Sequence, residues 1–472
     1  MNLVLLIPDG VGARNFLIGP FLGLARETWT TYVFHPIPER HLAAYGNGSS
    51  EEVRWREFHP YRETPLSATL RYSLLYAHLH WGDTLAMRAV RSLPVTGSWR
   101  RQAVQYAARL TGRIAASAAG IKTLDRLLCL TTGRLPEVER YRQIFRQIDP
   151  RVIFCSHQRP PIIIPAILAA RSLGIPTATF IFSWDNLTSK GRIAAPFDHY
   201  LVWSDQMRDE LLRFYPDVSA ERVHVVGTPQ FDPYADRDLL WSREEFHARI
   251  RADPSRPLLC YSGGDLMTAP EDHLHVRLLM ELIRAGQIKN NPQVILRPAP
   301  VDDGARYEVV RHDYPELIYA QPAWLHTTPG DWSRVIPLPD DVRFLANLTH
   351  HADVNINLAS TMTLDFAIHN RPVINIAFDV ASPPPLGRPL WDFYYQFEHY
   401  QPVVRIGAAR FARSREELAA HVNAYLDDPS LDHEARRELV ELQVGVPIGQ
   451  SSQRIVEVLR MISDRNHSPF SI

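Results

Sequence analysis

Three cysteines in 472 residues, Cys129, Cys155 and Cys260, are too few and too scattered for a disulfide framework or a thiolate metal site. Such sparse use fits a reducing compartment. Long apolar runs are equally scarce, and no uncharged stretch approaches the ~18 residues that span a bilayer. The opening residues, MNLVLLIPDG, carry no basic lead-in and break at Pro8-Asp9-Gly10, so a first strand is expected there rather than a secretion signal. Net charge is missing too. With 51 Lys and Arg against 52 Asp and Glu the formal charge is −1, so nothing global recruits nucleic acid. Short repeats and low-complexity tracts are absent. These absences leave a cytoplasmic globular protein, too long for one ordinary core, with 45% apolar and 22% charged residues.

What is present is unevenly distributed. Between Arg71 and Arg134 there are ten basic residues against two acids, Asp83 and Asp125. Large apolar residues are interleaved with them: Tyr72, Leu74, Leu75, Tyr76, Leu79 and Trp81, then Trp99, Tyr106, Leu110 and Ile114. A basic amphipathic helical stretch over 71–134 lies on an anionic membrane surface, is the solvated face of an ordinary core or, as a weaker third option with no stacking motif beside it, binds RNA. Peripheral attachment at the inner face of the cell membrane is the localisation that the first reading implies.

Elsewhere strands and helices alternate. Strands are expected at 3–7, 152–156, 176–182, 199–203 and 222–226, with helices at 15–26, 162–173 and 205–214. A mostly helical and looped stretch fills the interval to residue 148, and the turn-rich GTPQFDPYADRD of 227–238 reads as a hinge. A second series follows: strands at 258–261, 293–297, 353–357 and 372–377, and helices at 272–286, 341–351, 361–369, 414–427 and 451–463. The pattern predicts an α/β protein of two doubly wound Rossmann-like domains facing a cleft, with a basic helical insertion at about 60–148. The boundaries are residues 1–235, 256–445, and a C-terminal helix and tail over 446–472 that packs back on the first domain.

In such sheets ligands bind beyond the carboxyl ends of the strands. The chemistry-bearing loops fall there. In FSWDNLTSKG, directly after an apolar strand, Asp185 offers a general base, shielded by Trp184 and oriented by Asn186. Lys190 and Arg192 supply positive charge for a phosphate. Asp9, followed by Arg14 and Asn15, and His157 in CSHQRP are rival bases. Ser360 and Thr361 open a helix after a strand and leave donors free for an anion, with Asp365 one turn on. Those same hydroxyls also read as an ordinary N-cap. Ser262-Gly263-Gly264 offers a second amide cradle, and Arg297 a partner for phosphate charge. Asp236 and Asp238 fall in the expected hinge, and His273, His275, His350 and His351 lack further ligands nearby, so no essential metal or other required cofactor is expected.

The stretch DDVRFLANLTHHADVNINLASTMTLDFAIHNRPVINIAFD resembles the C-terminal core of the CDP-glycerol glycerophosphotransferase (teichoic acid polymerase) family. It is also similar to the equivalent part of UDP-N-acetylglucosamine 2-epimerase and other glycosyltransferases of the GT-B fold. In that family a helix is followed by Ala-Asp, a strand, a Ser-Ser or Ser-Thr phosphate loop, and a Lys-Pro-then-strand unit. DHYLVWSDQMRDELLRFYPDVSAERVHVVGTPQFD (198–232) looks like the family segment that ends in Gly-x-Pro-x-x-Asp. SWDNLTSKG takes the place of its Trp-His-Gly-Thr-Pro-Leu-Lys. The resemblance covers about 150–380 and Gly449 to Arg454. Two departures stand out: Trp184-Asp185 replaces Trp-His, and Arg297-Pro298-Ala299-Pro300 lacks the family's histidine.

The resemblance implies two GT-B domains and a transferase. It would move a sugar from a UDP-, GDP- or CDP-linked donor to a hydroxyl acceptor, free or lipid-linked, in surface polysaccharide or glycolipid synthesis. The donor would lie at Ser360, Thr361, Asp365 and Arg297, and the acceptor in the N-terminal domain. Domain closure would bring the two together. Three alternatives stay open: glycerophosphate transfer from CDP-glycerol, disfavoured by the missing histidines; sugar-nucleotide epimerisation; and nucleotide binding without catalysis.

Overall fold

The computed structural model describes residues 1–45, 52–326, 335–382, 389, 391–445 and 447–465. Contacts divide the chain into two compact units, one of 1–230 with 450–472 and one of 231–449. Both are helix-covered parallel sheets, the solution that buries continuous apolar strands on two faces.

The N-terminal unit holds seven strands: β1 (Asn2–Leu6), β2 (Thr30–His35), β3 (Val53–Glu57), β4 (Pro150–Cys155), β5 (Thr177–Phe180), β6 (His199–Val202) and β7 (Val223–Val225). Their spatial order is β3-β2-β1-β4-β5-β6-β7, and every pairing is parallel. Two of these strands, β2 and β3, lie where only helix and loop were expected. The apolar TTYVFH of β2 is buried from Thr31 onward, while β3 is an edge strand with mostly outward polar positions. The helix expected over 15–26 is broken. A π-helical turn, Arg14–Ile18, ends at Gly19 and Pro20 before the helix Phe21–Arg26 begins, because proline lacks the amide that would continue the ladder.

Between β3 and β4 comes the insertion, with helices Pro65–Gly82, Leu85–Ser92, Trp99–Ile114, Ala118–Thr132 and Pro136–Ile148. Leu74, Ala77, Ile121, Leu124 and Leu128 form its core. Helix Trp99–Ile114 lies close on Pro65–Gly82 at Gly112, where a Cβ would stand 2.6 Å from the Cβ of Tyr76 and 2.8 Å from the Ala77 nitrogen. The final helix, Ser451–Arg465, packs on Phe21–Arg26, with Arg460 donating to the Thr28 hydroxyl at 2.7 Å.

The C-terminal unit repeats the scheme with β8 (Leu258–Ser262), β9 (Gln293–Arg297) and β10 (Ile318–Tyr319), a separate antiparallel pair β11 (Trp324–His326) and β12 (Val335–Pro337), then β13 (Val354–Asn357), β14 (Val373–Ile376) and β15 (Arg410–Ala412). The sheet order is β10-β9-β8-β13-β14-β15. Each sheet therefore reverses direction once, between β1 and β4 and between β8 and β13. These are the topological switch points where open α/β sheets bind ligands. The turn-rich stretch taken as a hinge is, from Phe231 on, built into this unit. Tyr234 bonds Asp365, the Trp241 amide donates to Asn347 at 2.7 Å, and Arg243 reaches Asp353 at 3.5 Å. Its turn formers shape short helices rather than a free linker.

Candidate functional site

At the switch point of the N-terminal unit, Pro8 to Ala13 follow β1 and Ser156 to Pro160 follow β4. Asp9 caps the turn Gly10–Ala13, its Oδ1 accepting from the Gly12 amide at 3.0 Å. Its Oδ2 is held by Nδ1 of His157. Burial acts to raise the Asp9 pKa, but His157 opposite and the amides of Gly12 and Val11 outweigh it, and the carboxyl is held below its ordinary range. The aspartate stays ionised and keeps the proton of His157 on Nδ1. Nε2 is then the basic nitrogen, and it has no hydrogen-bond partner. Phe182 covers the ring, with centroids 4.0 Å apart. The two residues proposed as competing bases are thus one unit, an imidazole oriented by a buried carboxylate.

Gly12 of this loop serves close contact. A Cβ on Gly12 would lie 2.3 Å from the Ser156 hydroxyl. Asn15 is buried in the π-helical turn, its Oδ1 accepting from Arg14 at 3.0 Å, while Arg14 also donates to Gln230 at 2.6 Å. Nδ2 of Asn15 and the hydroxyl of Ser156 are buried without partners, like Nε2 of His157. Three such atoms on these adjoining segments offer donors and acceptors to a polar ligand.

Asp185 is placed differently from the expectation of a free base. It accepts from Ser183 at 2.6 Å, Ser189 at 3.0 Å and Asn186 at 3.1 Å, and pairs with Lys190 at 3.3 Å. These donors spend its lone pairs on fixing the short helix Asn186–Ser189. Lys190 is correspondingly engaged, and Trp184 is core. Arg192 is bound to Asp125 at 2.6 Å and lies over the Tyr215 ring. Asn186 has a linking part: its Oδ1 accepts from Gln158 at 2.9 Å, which ties the loop after β5 to the residue next to His157.

In the C-terminal unit the expected donor residues separate. Ser360 and Thr361 are partly exposed at the β8/β13 switch point, with Ser360 Oγ accepting the Met362 amide at 3.2 Å. Ala359 before them has a φ of 47°, a left-handed conformation that is costly for alanine. The Gly263-Gly264 cradle is closed, because the Gly263 amide donates to the Arg297 carbonyl at 2.8 Å and the Gly264 amide to Asp272 at 2.6 Å. Arg297 is buried on Asp341 at 2.8 Å, an acid that also binds the Trp324 indole at 2.7 Å. Asp365 is buried and accepts from the Tyr234 hydroxyl. Ser262 is buried and accepts from Asn355 at 2.8 Å.

That last bond opens a network that sequence reading missed. Asn357 donates to Asn355 at 2.7 Å and accepts the Ser360 amide at 3.0 Å; Tyr400 joins Thr363 at 2.9 Å and Asn375 at 3.1 Å. Buried asparagines in the central strands hold the 357–361 loop in its strained shape. Their alternation with apolar residues in NINL was the available signal. Gln158 and Arg159 were also missed, for want of any local motif.

The apolar residues of the basic insertion fall into two groups. Leu74, Tyr76 and Leu79 are core, whereas Trp99, Tyr106, Leu110 and Ile114 are 74%, 57%, 64% and 79% exposed. Spaced by seven, four and four, they form one stripe on the helix, roughly opposite the buried Ala108 and Gly112. Among the described residues no helix is long and apolar enough to cross a membrane, and no three metal-ligating side chains cluster.

No protein-family model matches the sequence, and no curated protein matches it. Solved structures match in fold. A UDP-N-acetylglucosamine 2-epimerase aligns over 100% of this chain and 98% of its own, at 12% identity and a TM-score of 0.53. A glycosyltransferase from Rickettsia africae ESF-5 aligns over 99% of both chains, at 11% identity and 0.52. The wall teichoic acid polymerase TagF aligns over 99% of this chain and 89% of its own, at 9% identity and 0.50. The chain has the two-domain α/β architecture of the GT-B fold.

Proposed function

We propose that the protein is a transferase that moves a sugar from a nucleotide-diphosphate donor to a hydroxyl acceptor. The observation that carries this reading is the Asp9–His157 pair at the switch point, with Nε2 of the imidazole unpartnered. An acceptor hydroxyl brought to Nε2 gives up its proton as the new bond to the sugar forms, and Asp9 stabilises the resulting imidazolium. The nucleotide diphosphate leaves from the C-terminal unit, held at the partly exposed Ser360 and Thr361. Arg297 and Asp365, bound to Asp341 and Tyr234, and the closed glycine pair are not assigned to the donor. The exposed stripe of helix Trp99–Ile114, flanked by Arg100, Arg109 and Arg113, supports attachment to an anionic membrane surface, where a lipid-linked acceptor would be met.

The test is a thermal-shift and calorimetric panel of UDP, GDP, CDP, UDP-sugars and CDP-glycerol on the wild type and on Ser360→Ala/Thr361→Ala. Stabilisation by one nucleotide, lost in the double variant, supports the donor assignment and fixes the donor class. Conversion of a UDP-sugar to its epimer without any acceptor would replace transfer by isomerisation. No shift with any nucleotide at millimolar concentration would overturn the reading.

A further inference from the structure

A cavity of about 130 Å³ lies within the N-terminal unit, between the helical insertion and residues 159 and 191–194. Three guanidinium groups line it, from Arg71, Arg159 and Arg192, together with the apolar side chains of Leu74, Leu75 and Ile193. Two of the cations are already satisfied. Arg71 makes a two-point pair with Glu63, at 2.6 and 2.7 Å, and Arg192 is paired with Asp125. Arg159 has no hydrogen-bonded or ion-paired partner among the described residues. Asp185 and Asp9 act on it only through space, and each is committed elsewhere, to Lys190 and to His157. Burial lowers its pKa, while the residue as a whole stays partly exposed.

The surrounding chain is built to hold this geometry. Ala194 N donates to the Gln158 carbonyl at 2.9 Å, fixing the 191–194 wall to the loop that carries His157 and Arg159. Gly191 leaves room for Leu75, whose Cδ1 would be 1.9 Å from a Cβ there. Ile193 N donates to the Tyr215 hydroxyl at 3.0 Å, beneath Arg192.

We infer that this cavity binds a phosphate ester bearing an apolar chain, with the phosphate on Arg159 and the chain against Leu74, Leu75 and Ile193. The fork of Arg159 matches phosphate oxygens in pairs, while Arg71 and Arg192 stay with their own carboxylates. The apolar wall meets only the first carbons of the chain, because about 130 Å³ holds little more than the phosphate. Naming this ligand as the head of the acceptor rests on the transferase reading; its binding does not.

The experiment is calorimetry on the full chain with decyl phosphate below its micellar concentration, alongside decanol, decanoate and inorganic phosphate. Saturable one-to-one binding of decyl phosphate is expected, at least ten-fold weaker for Arg159→Gln and for Leu75→Glu, with melting curves confirming that both variants fold. Equal affinity for inorganic phosphate would reduce the cavity to a free-anion site and overturn the amphiphile. Equal affinity for decanol or decanoate would overturn the phosphate. Unchanged binding in both variants would overturn the location. The nucleotide panel is run on the same samples: a retained nucleotide shift with no decyl phosphate binding sinks this inference alone, and the reverse result sinks only the transferase.

Discussion

Asp9 and His157 meet across 148 residues of chain, the first carboxylate of the sequence gripping Nδ1 of an imidazole that is delivered by the fourth strand. Neither residue is unusual in its own loop. Together they have the arrangement in which a histidine keeps one tautomer and leaves its other nitrogen without a partner.

If His157 is the base, His157→Gln lowers kcat by at least ~10²-fold while the donor KM changes little. Asp9→Asn has a comparable effect through loss of the tautomer and of imidazolium stabilisation. The Asp9 carboxyl is held below its ordinary pKa, so its stabilising contribution is present above about pH 4 and disappears as pH falls through the lowered value. Acid-unfolding curves of Asp9→Asn should therefore lack that part of the wild-type slope. Asp185→Asn, by contrast, should act mainly on stability, and a kcat loss as large as that of His157→Gln would move the base to Asp185.

Asp272 supplies a pH effect of opposite sign. Burial pushes its pKa up to about 6, only partly offset by Arg306, Tyr261 and the Gly264 amide. The unfolded chain releases this proton near pH 4, so between about pH 4 and 6 the native state binds more protons and stability falls as pH rises. The shift of about two units corresponds to about 3 kcal/mol. Asp272→Asn, which can still bond Tyr261 and accept from Gly264, should gain on the wild type by up to that amount between pH 4 and 7. A pH-independent difference in chemical-denaturation midpoints would show that Asp272 does not titrate there.

The outer stripe of helix Trp99–Ile114 predicts sedimentation with vesicles that contain anionic phospholipid, weakened by salt. A Trp99→Ser/Leu110→Ser/Ile114→Ser variant should bind at least ten-fold more weakly with an unchanged melting temperature, since none of the three side chains supports the core. Equal binding to neutral and anionic vesicles would remove the electrostatic half of the proposal.

Gly112→Leu tests the opposite face. Its side chain would collide with the backbone at Ser73 and Ala77, which cannot yield as a side-chain end can. A loss of roughly 1–3 kcal/mol, or more, is expected in denaturant melts, with the helix pair separating.

Of the strands at the two switch points, β1, β4 and β8 were legible as apolar runs bounded by turn residues, and β13 as an alternation of Val and Ile with Asn. β2 was equally apolar, but it sat in a segment with no alternating partner on its C-terminal side, where the insertion interrupts the pattern. The site was legible only as separate members. Asp9 and His157 could each be picked out as strand-end residues, yet their union is a product of β1 lying beside β4, which no local spacing encodes. Arg297 and Asp365 had the right positions on their strand and helix, but burial turned them to Asp341 and Tyr234. Residue type and loop position tell what a group can do; only the packing tells whether a neighbour has already claimed it.

The return of the chain at Gln450 has a consequence for dissection. Gly449 lies against Ala235 and Asp232, and Gly227 against Ser451, so the two crossing points leave both pairs of cut ends side by side. The C-terminal unit is, in topological terms, a guest inserted into a host whose own first and last segments pack together. A short loop joining Gln230 to Gln450 would close the host, and residues 231–449 would stand as a separate polypeptide with adjacent termini. Nucleotide recognition and the Asp9–His157 chemistry could then be assayed in different tubes.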